Sequence, residues 1–339
     1  MSRTTVHAKN PRGRGNRGNI HNLTKLYRKL HFSGDARTKQ VFNKFFERAQ
    51  KVYREAFPKD EREHGNVVRG YMRGVAKGEY EDAYFLYLSY VVGANIAKGD
   101  AGRSLGMYSG DVIPVEALNG SILFHGYVAT SKKARRQGIG RALITKAISV
   151  ASEHAESVGK PLVYHFGEVE QPKFAEYERV LNGNANGDEV MRNVIRPNFH
   201  QKVTGLYAPV IIVGEEVLPV YYAQPGLEKG APRVELIPTV GIVENGRIRH
   251  IPTEPGVLGP GGKLRVDPAS LTAIPAKEFL AVVNAVLEAY RESPYAQQRQ
   301  ISNIWIDVVA SIHGQEYVYL IPIADTMHLP PLESLRKAS

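Results

Sequence analysis

Cysteine is absent from the 339-residue chain, which removes disulfides, thiolate zinc sites and cysteine nucleophiles from its chemistry. No apolar run approaches the ~18 to 20 residues of a membrane-spanning helix. The longest suggestive stretch, Ala208–Val213, has the length of a buried strand. Arg3, Lys9, Arg12, Arg14 and Arg17 are followed by no apolar block, so no secretory leader is read and a cytoplasmic location is expected. Internal repeats are lacking too. What is there is an ordinary globular composition, 43% hydrophobic and 23% charged, with length enough for one large core or two smaller ones.

The formal charge of +10 invites a nucleic-acid reading, and its distribution decides how far that reading reaches. Residues 1–54 hold 14 Lys or Arg against Asp35 and Glu47, whereas the remainder is slightly acidic. Basicity therefore belongs to an N-terminal arm and the first helix. Within the arm, residues 10–19 (NPRGRGNRGN) offer nothing to bury, so residues 1–37 are expected to be disordered and able to touch phosphates weakly.

Apolar residues at Val41, Phe42, Phe45, Phe46, Ala49, Val52, Tyr53, Ala56 and Phe57 predict an amphipathic helix over 38–57, ended by Pro58. A second helix is expected over 66–76, and one or two strands over 84–96, broken at Gly93. Residues 99–106 read as a turn-rich connection and 121–130 as a strand. The spacing then predicts a helix over 141–158, a strand over 162–166, a turn over 182–187 and a helix over 189–203, kinked or restarted at Pro197. Strands over 207–213 and 217–223 follow, then a loop-like 251–268, a helix over 276–292 and closing strands over 301–312 and 316–323.

Between the strand at 121–130 and the helix at 141–158 lies Arg135-Arg136-Gln137-Gly138-Ile139-Gly140-Arg141. Glycines let a backbone turn tightly and approach an anion, and the N–H groups of a helix start point at it. Lys132, Lys133, Arg135, Arg136 and Arg141 add five cations within ten residues, so a diphosphate is the natural ligand. A dinucleotide fingerprint would want a small residue where Leu143 stands, and no Gly-Lys-Ser or Gly-Lys-Thr of a Walker loop occurs.

These residues resemble the acyl-CoA loop of the GNAT superfamily of N-acetyltransferases, R/Q-x-x-G-x-G/A, with Arg135, Gly138 and Gly140 on its fixed positions. Residues 51–63 look like the first helix and loop of that superfamily, and Val91-Val92-Gly93 like the strand before its coenzyme strand. Glu168-Val169-Glu170 and Tyr222-Ala223-Gln224-Pro225 are similar to features of bacterial members. The resemblance implies an α/β (α+β) GNAT fold, a mixed, mostly antiparallel sheet flanked by helices, over 38–226, with 227–339 packing on the same domain.

It further implies acetyl-CoA as cosubstrate, no metal, and direct attack of a primary amine on the thioester. The pyrophosphate would rest on Arg135, Arg136, Gln137, Gly138, Ile139, Gly140 and Arg141, and the carbonyl on the backbone at Val128, Ala129 and Thr130. Glu168 or Glu170 would be the base, Glu168 slightly favoured. For the acid, the pattern Y-x-x-x-G-F is approached at 199–205, where His200 stands near the tyrosine position and the glycine falls one place late. Tyr177 and Tyr207 are alternatives. A small-molecule amine is expected as acceptor rather than a protein lysine. The competing reading is a nucleic-acid-associated protein acting through the arm, with an inactive fold behind it.

Overall fold

The computed structural model describes residues 5–6, 18–57, 63–79, 84–92, 94, 102–220, 222–226, 234–252, 256–258, 263–291 and 298–330. Two compact units share the chain: Met1–Pro114 with Leu123–Leu162, and Val115–Ile122 with Val163–Ser339.

In the first unit a two-residue strand, β1 (Thr5–Val6), pairs antiparallel with β2 (Gly18–Asn22). Asn22 accepts a hydrogen bond from the Lys25 N–H (2.9 Å) and opens helix α1 (Leu23–Ser33), which ends at Gly34 with φ 63°. Asp35 accepts from the Thr38 N–H (3.0 Å) and opens α2 (Ala36–Ala56). The expected disordered arm is thus corrected over 18–37. Strand and helix occupy it, because Leu23 and Thr24 are buried and Leu26, Tyr27 and Leu30 pack on the core. The boundary at 37/38 falls inside a helix. Most of 1–17 lies outside the described residues.

Helix α3 (Gly65–Lys77) joins α1 and α2 over strand β3 (Tyr84–Val92). Phe85, Tyr87 and Val91 of β3 meet Val41, Phe42, Phe45 and Phe46 of α2 in one cluster. Each such side chain contributes roughly 1.5–3 kcal/mol on burial. Strands β4 (Arg103–Val115) and β5 (Gly120–Thr130) extend the sheet in the order β1-β2-β3-β4-β5, with β2/β3 and β3/β4 antiparallel. Helix α4 (Ile139–Ser157) lies against β3, where Tyr84 stacks on His154 at 4.5 Å.

Strand β4 replaces much of the expected turn-rich connection. Its glycines are there because neighbours leave no room: a Cβ on Gly106 would come within 2.8 Å of Ile139 and 3.1 Å of the Ala129 carbonyl oxygen.

The second unit contains β6 (Leu162–Val169) from Val163 onward, then α5 (Phe174–Leu181), which the sequence reading did not expect. A helical run over 187–204 alternates α turns, α6 (Gly187–Val190) and α7 (Arg196–Phe199), with π turns at Met191–Ile195 and His200–Thr204. Pro197 is accommodated within it rather than ending it. Then come β7 (Ala208–Val213), β8 (Glu216–Pro219), and the short antiparallel pair β9 (Ala223–Gln224) and β10 (Val234–Glu235).

Strand β11 (Ile237–Glu244) pairs antiparallel with β6, Gly167 opposite Thr239, and with β12 (Arg247–Arg249). The boundary expected at 226/227 is therefore no structural joint: residues beyond it supply the partner of β6. Two-residue strands β13 (Val257–Leu258) and β14 (Leu264–Arg265) interrupt the expected loop. Strand β15 (Thr272–Pro275), helices α8 (Ala276–Arg291) and α9 (Gln298–Ile312) and strand β16 (Tyr317–Ile321) complete it, in a four-stranded sheet ordered β15-β16-β7-β8. The strand expected over 301–312 is corrected to α9. Its buried residues Ile301, Ile304, Val308 and Ile312 recur at helical spacing. Among the described residues, no helix is long and apolar enough to cross a membrane.

Candidate active site

In the first unit, Ser131 leaves β5 with its N–H donated to the Leu105 carbonyl oxygen (2.9 Å), and a 3-10 turn, Lys132–Ala134, follows. Arg136 (φ 63°) and Gly138 (φ 77°) then adopt left-handed conformations that swing the chain into α4. Gly138 is the N-cap and can offer no side-chain acceptor. The first bond closing the helix runs from the Ala142 N–H to the Gly138 carbonyl oxygen (3.0 Å), so the N–H groups of Gly138, Ile139, Gly140 and Arg141 have no partner inside it.

The first turn of α4 holds no acidic residue. Lys132, Lys133, Arg135, Arg136 and Arg141 are exposed, and among the described residues none is paired with a carboxylate. Gln137 donates from Nε2 to the Lys133 carbonyl oxygen (3.1 Å), bracing the loop. Amides, helix dipole and cations together favour an anion at this loop. On β5 the side chain of Ala129 is buried in the core, while Val128 and Thr130 are half-buried.

In the second unit, Glu168 lies within β6 rather than after it. It is half-buried. Its carboxylate accepts the Tyr222 hydroxyl on Oε1 (2.5 Å) and the Tyr290 hydroxyl on Oε2 (2.9 Å). Burial pushes the carboxyl up to about 7, and the two phenols, by bonding the charged form, hold it from going higher. Such a group exchanges protons at neutral pH.

Glu170 is exposed and paired with Arg196 (2.9 Å), the arrangement of a solvated ion pair. His200 sits in the second π turn, where burial and then the Arg196 charge lower its pKa to about 4. It is therefore a neutral imidazole at pH 7. Tyr207 donates its hydroxyl to the Ile251 carbonyl oxygen (2.9 Å) and accepts the Ile251 N–H (3.0 Å), a structural clamp. Tyr177 is half-buried on α5.

The structure thus brings Glu168 together with Tyr222 and Tyr290, and Glu170 together with Arg196. The sequence reading quoted Tyr222 only as part of a resemblance and passed over Tyr290, which lies 122 residues from Glu168 with no local pattern to announce it. Four residues back along β6, about 13 Å away, Tyr164 donates to Glu278 (2.6 Å) beside a separate cavity of about 460 Å³ walled by Leu118, Val163, Ile242 and Val243. Among the described residues, no group of three or more His, Cys, Asp or Glu could hold a metal ion.

No protein-family model matches the chain, and no curated protein matches it. Solved structures that align with it include GNAT acetyltransferases, at TM-scores of 0.26 to 0.36. Arabidopsis thaliana NAA60 in complex with a bisubstrate analogue aligns over 60% of this chain and 95% of its own, at 13% identity and a TM-score of 0.36. A GNAT-family acetyltransferase from Streptococcus pneumoniae aligns over 66% of this chain and 98% of its own, at 12% identity and a TM-score of 0.33. The Escherichia coli ribosomal-protein-S18-alanine N-acetyltransferase aligns over 58% and 87%, at 13% identity and a TM-score of 0.30.

Proposed function

We propose that this protein is an N-acetyltransferase that moves an acetyl group from acetyl-CoA to a primary amine of a small molecule. The observation that carries the reading is the uncapped start of α4 behind Arg136 and Gly138, with five exposed cations around it. Acetyl-CoA supplies a diphosphate for that loop and a thioester whose C–S bond gives way to the C–N bond of the product amide. The amides of Gly138 to Arg141, aided by Arg135, Arg136 and Arg141, would hold the diphosphate. Backbone N–H groups near Val128, Ala129 and Thr130 would polarise the carbonyl. Glu168 would take the proton released by the attacking nitrogen, the thiolate leaving with the coenzyme.

Isothermal titration with acetyl-CoA, and with adenine dinucleotides as control, tests the first step. Saturable binding of acetyl-CoA alone is expected, and Gly138→Glu is expected to weaken it by more than tenfold, since a carboxylate would occupy the anion position. Equal binding by wild type and Gly138→Glu would sink the assignment of the loop.

A further inference from the structure

We propose that Tyr290 and Gln224 are positioning residues for Glu168: Gln224 aims the Tyr290 proton, and Tyr290 with Tyr222 holds the Glu168 carboxylate in one orientation and in its charged form. The role as base is the reading given above, on which the catalytic side of this inference rests.

The geometry leaves little choice of hydrogen positions. A phenol has one proton to give. Gln224 donates from Nε2 to the Tyr290 hydroxyl oxygen (2.9 Å), so the Tyr290 proton is directed at Glu168 Oε2. The Tyr222 proton goes to the other oxygen, Oε1. Bonds to both oxygens stop the carboxylate rotating, yet each oxygen keeps a lone pair with which to accept a proton. The ring of Tyr222 is itself held edge-on to Phe166 (centroids 5.9 Å apart, 67°), two residues along β6 and on the same face as Glu168.

The four groups come from three separated parts of the chain: β6, the 222–226 segment, and the C-terminal end of α8. Among the described residues, the titratable groups facing Glu168 are Tyr222 and Tyr290. Its register partner on β11 is Pro238, and its strand neighbours Gly167 and Val169 carry no charge. Burial, with the Glu168 charge, keeps the Tyr222 hydroxyl protonated far beyond neutral pH, so it stays a donor throughout.

The test uses the full chain labelled with carboxyl-13C glutamate, titrated by NMR, with Glu168→Gln identifying the Glu168 signal. Tyr290→Phe is expected to move the Glu168 midpoint upward by about one pH unit, the size of one hydrogen bond to a charged group. Gln224→Leu is expected to move it the same way by less, and to add nothing in the Tyr290→Phe background, because it acts through Tyr290. The acid limb of kcat/KM for amine acetylation should follow the same displacement. A Glu168 midpoint unmoved by Tyr290→Phe, or a Gln224→Leu shift that persists without the phenol, overturns the proposal. Shifts as expected, with acetylation undiminished in Glu168→Gln, leave the positioning role standing and remove Glu168 as the base.

Discussion

Two glycines illustrate how the same residue type serves opposite ends at the residue scale. Gly138 has open space where a Cβ would stand, so only its φ of 77° resists substitution. Gly138→Ala should therefore cost about 1 kcal/mol of backbone strain and bind acetyl-CoA far better than Gly138→Glu, a contrast calorimetry would resolve. Gly241 has an ordinary φ and no room: a Cβ would lie 2.0 Å from His165 Nε2 and 2.5 Å from the Gly205 carbonyl oxygen. Gly241→Ala is expected to destabilise the second unit by roughly 1–3 kcal/mol through overpacking, measured by urea unfolding. Gly138 was legible because a motif and a chain reversal coincide there. Gly241 was not, since what crowds it comes from β6 and the 205 turn, outside any local window.

At the scale of elements, the helices α2, α4 and α8 were readable from their apolar stripes, and the glycine-bearing strand β4 was not. The stripe of α2 announced itself, yet its start was placed two residues late, because Asp35 caps it from outside the stripe. Asp35→Ala should cost the first unit about 1 kcal/mol, visible as a lowered urea midpoint with unchanged slope. For α9 the density of Ile and Val suggested a strand, whereas the positions of its buried residues are helical. Strand β4 failed the other way. Ser104 and Gly106 read as part of a turn-rich connection, and only the closeness of Ile139 and Leu143 shows why Gly106 carries no side chain. Removing residues 1–37 would take away β2 and α1, so it cannot serve as a clean probe of a basic arm.

Across the whole molecule, buried ionisable groups predict a pH dependence of stability with two opposing parts. Burial, with His250 nearby, lowers His165 to about 3, and burial with Arg196 lowers His200 to about 4, against 6.5 for a free imidazole. The unfolded chain takes protons that the folded chain refuses, so stability rises with pH between about 4 and 6.5. Glu168 acts in reverse: its carboxyl rises from 4.5 to about 7 on folding, so folding takes up a proton and stability falls as pH climbs through that window. Urea unfolding from pH 4.5 to 8 should show His200→Gln gaining on wild type as pH is lowered, and Glu168→Gln gaining as pH is raised; parallel curves would contradict both shifts. The sequence by itself determined the α/β class, the glycine turn with its cluster of cations at 135–141 and the stripes of α2, α4 and α8, because periodicity and turn chemistry act over a few residues. The tertiary structure alone decided that residues beyond 226 complete the sheet around β6, and that Tyr222, Gln224 and Tyr290 surround Glu168. Burial and hydrogen bonding between residues up to 122 positions apart depend on how strands and helices pack, which no short stretch of sequence records.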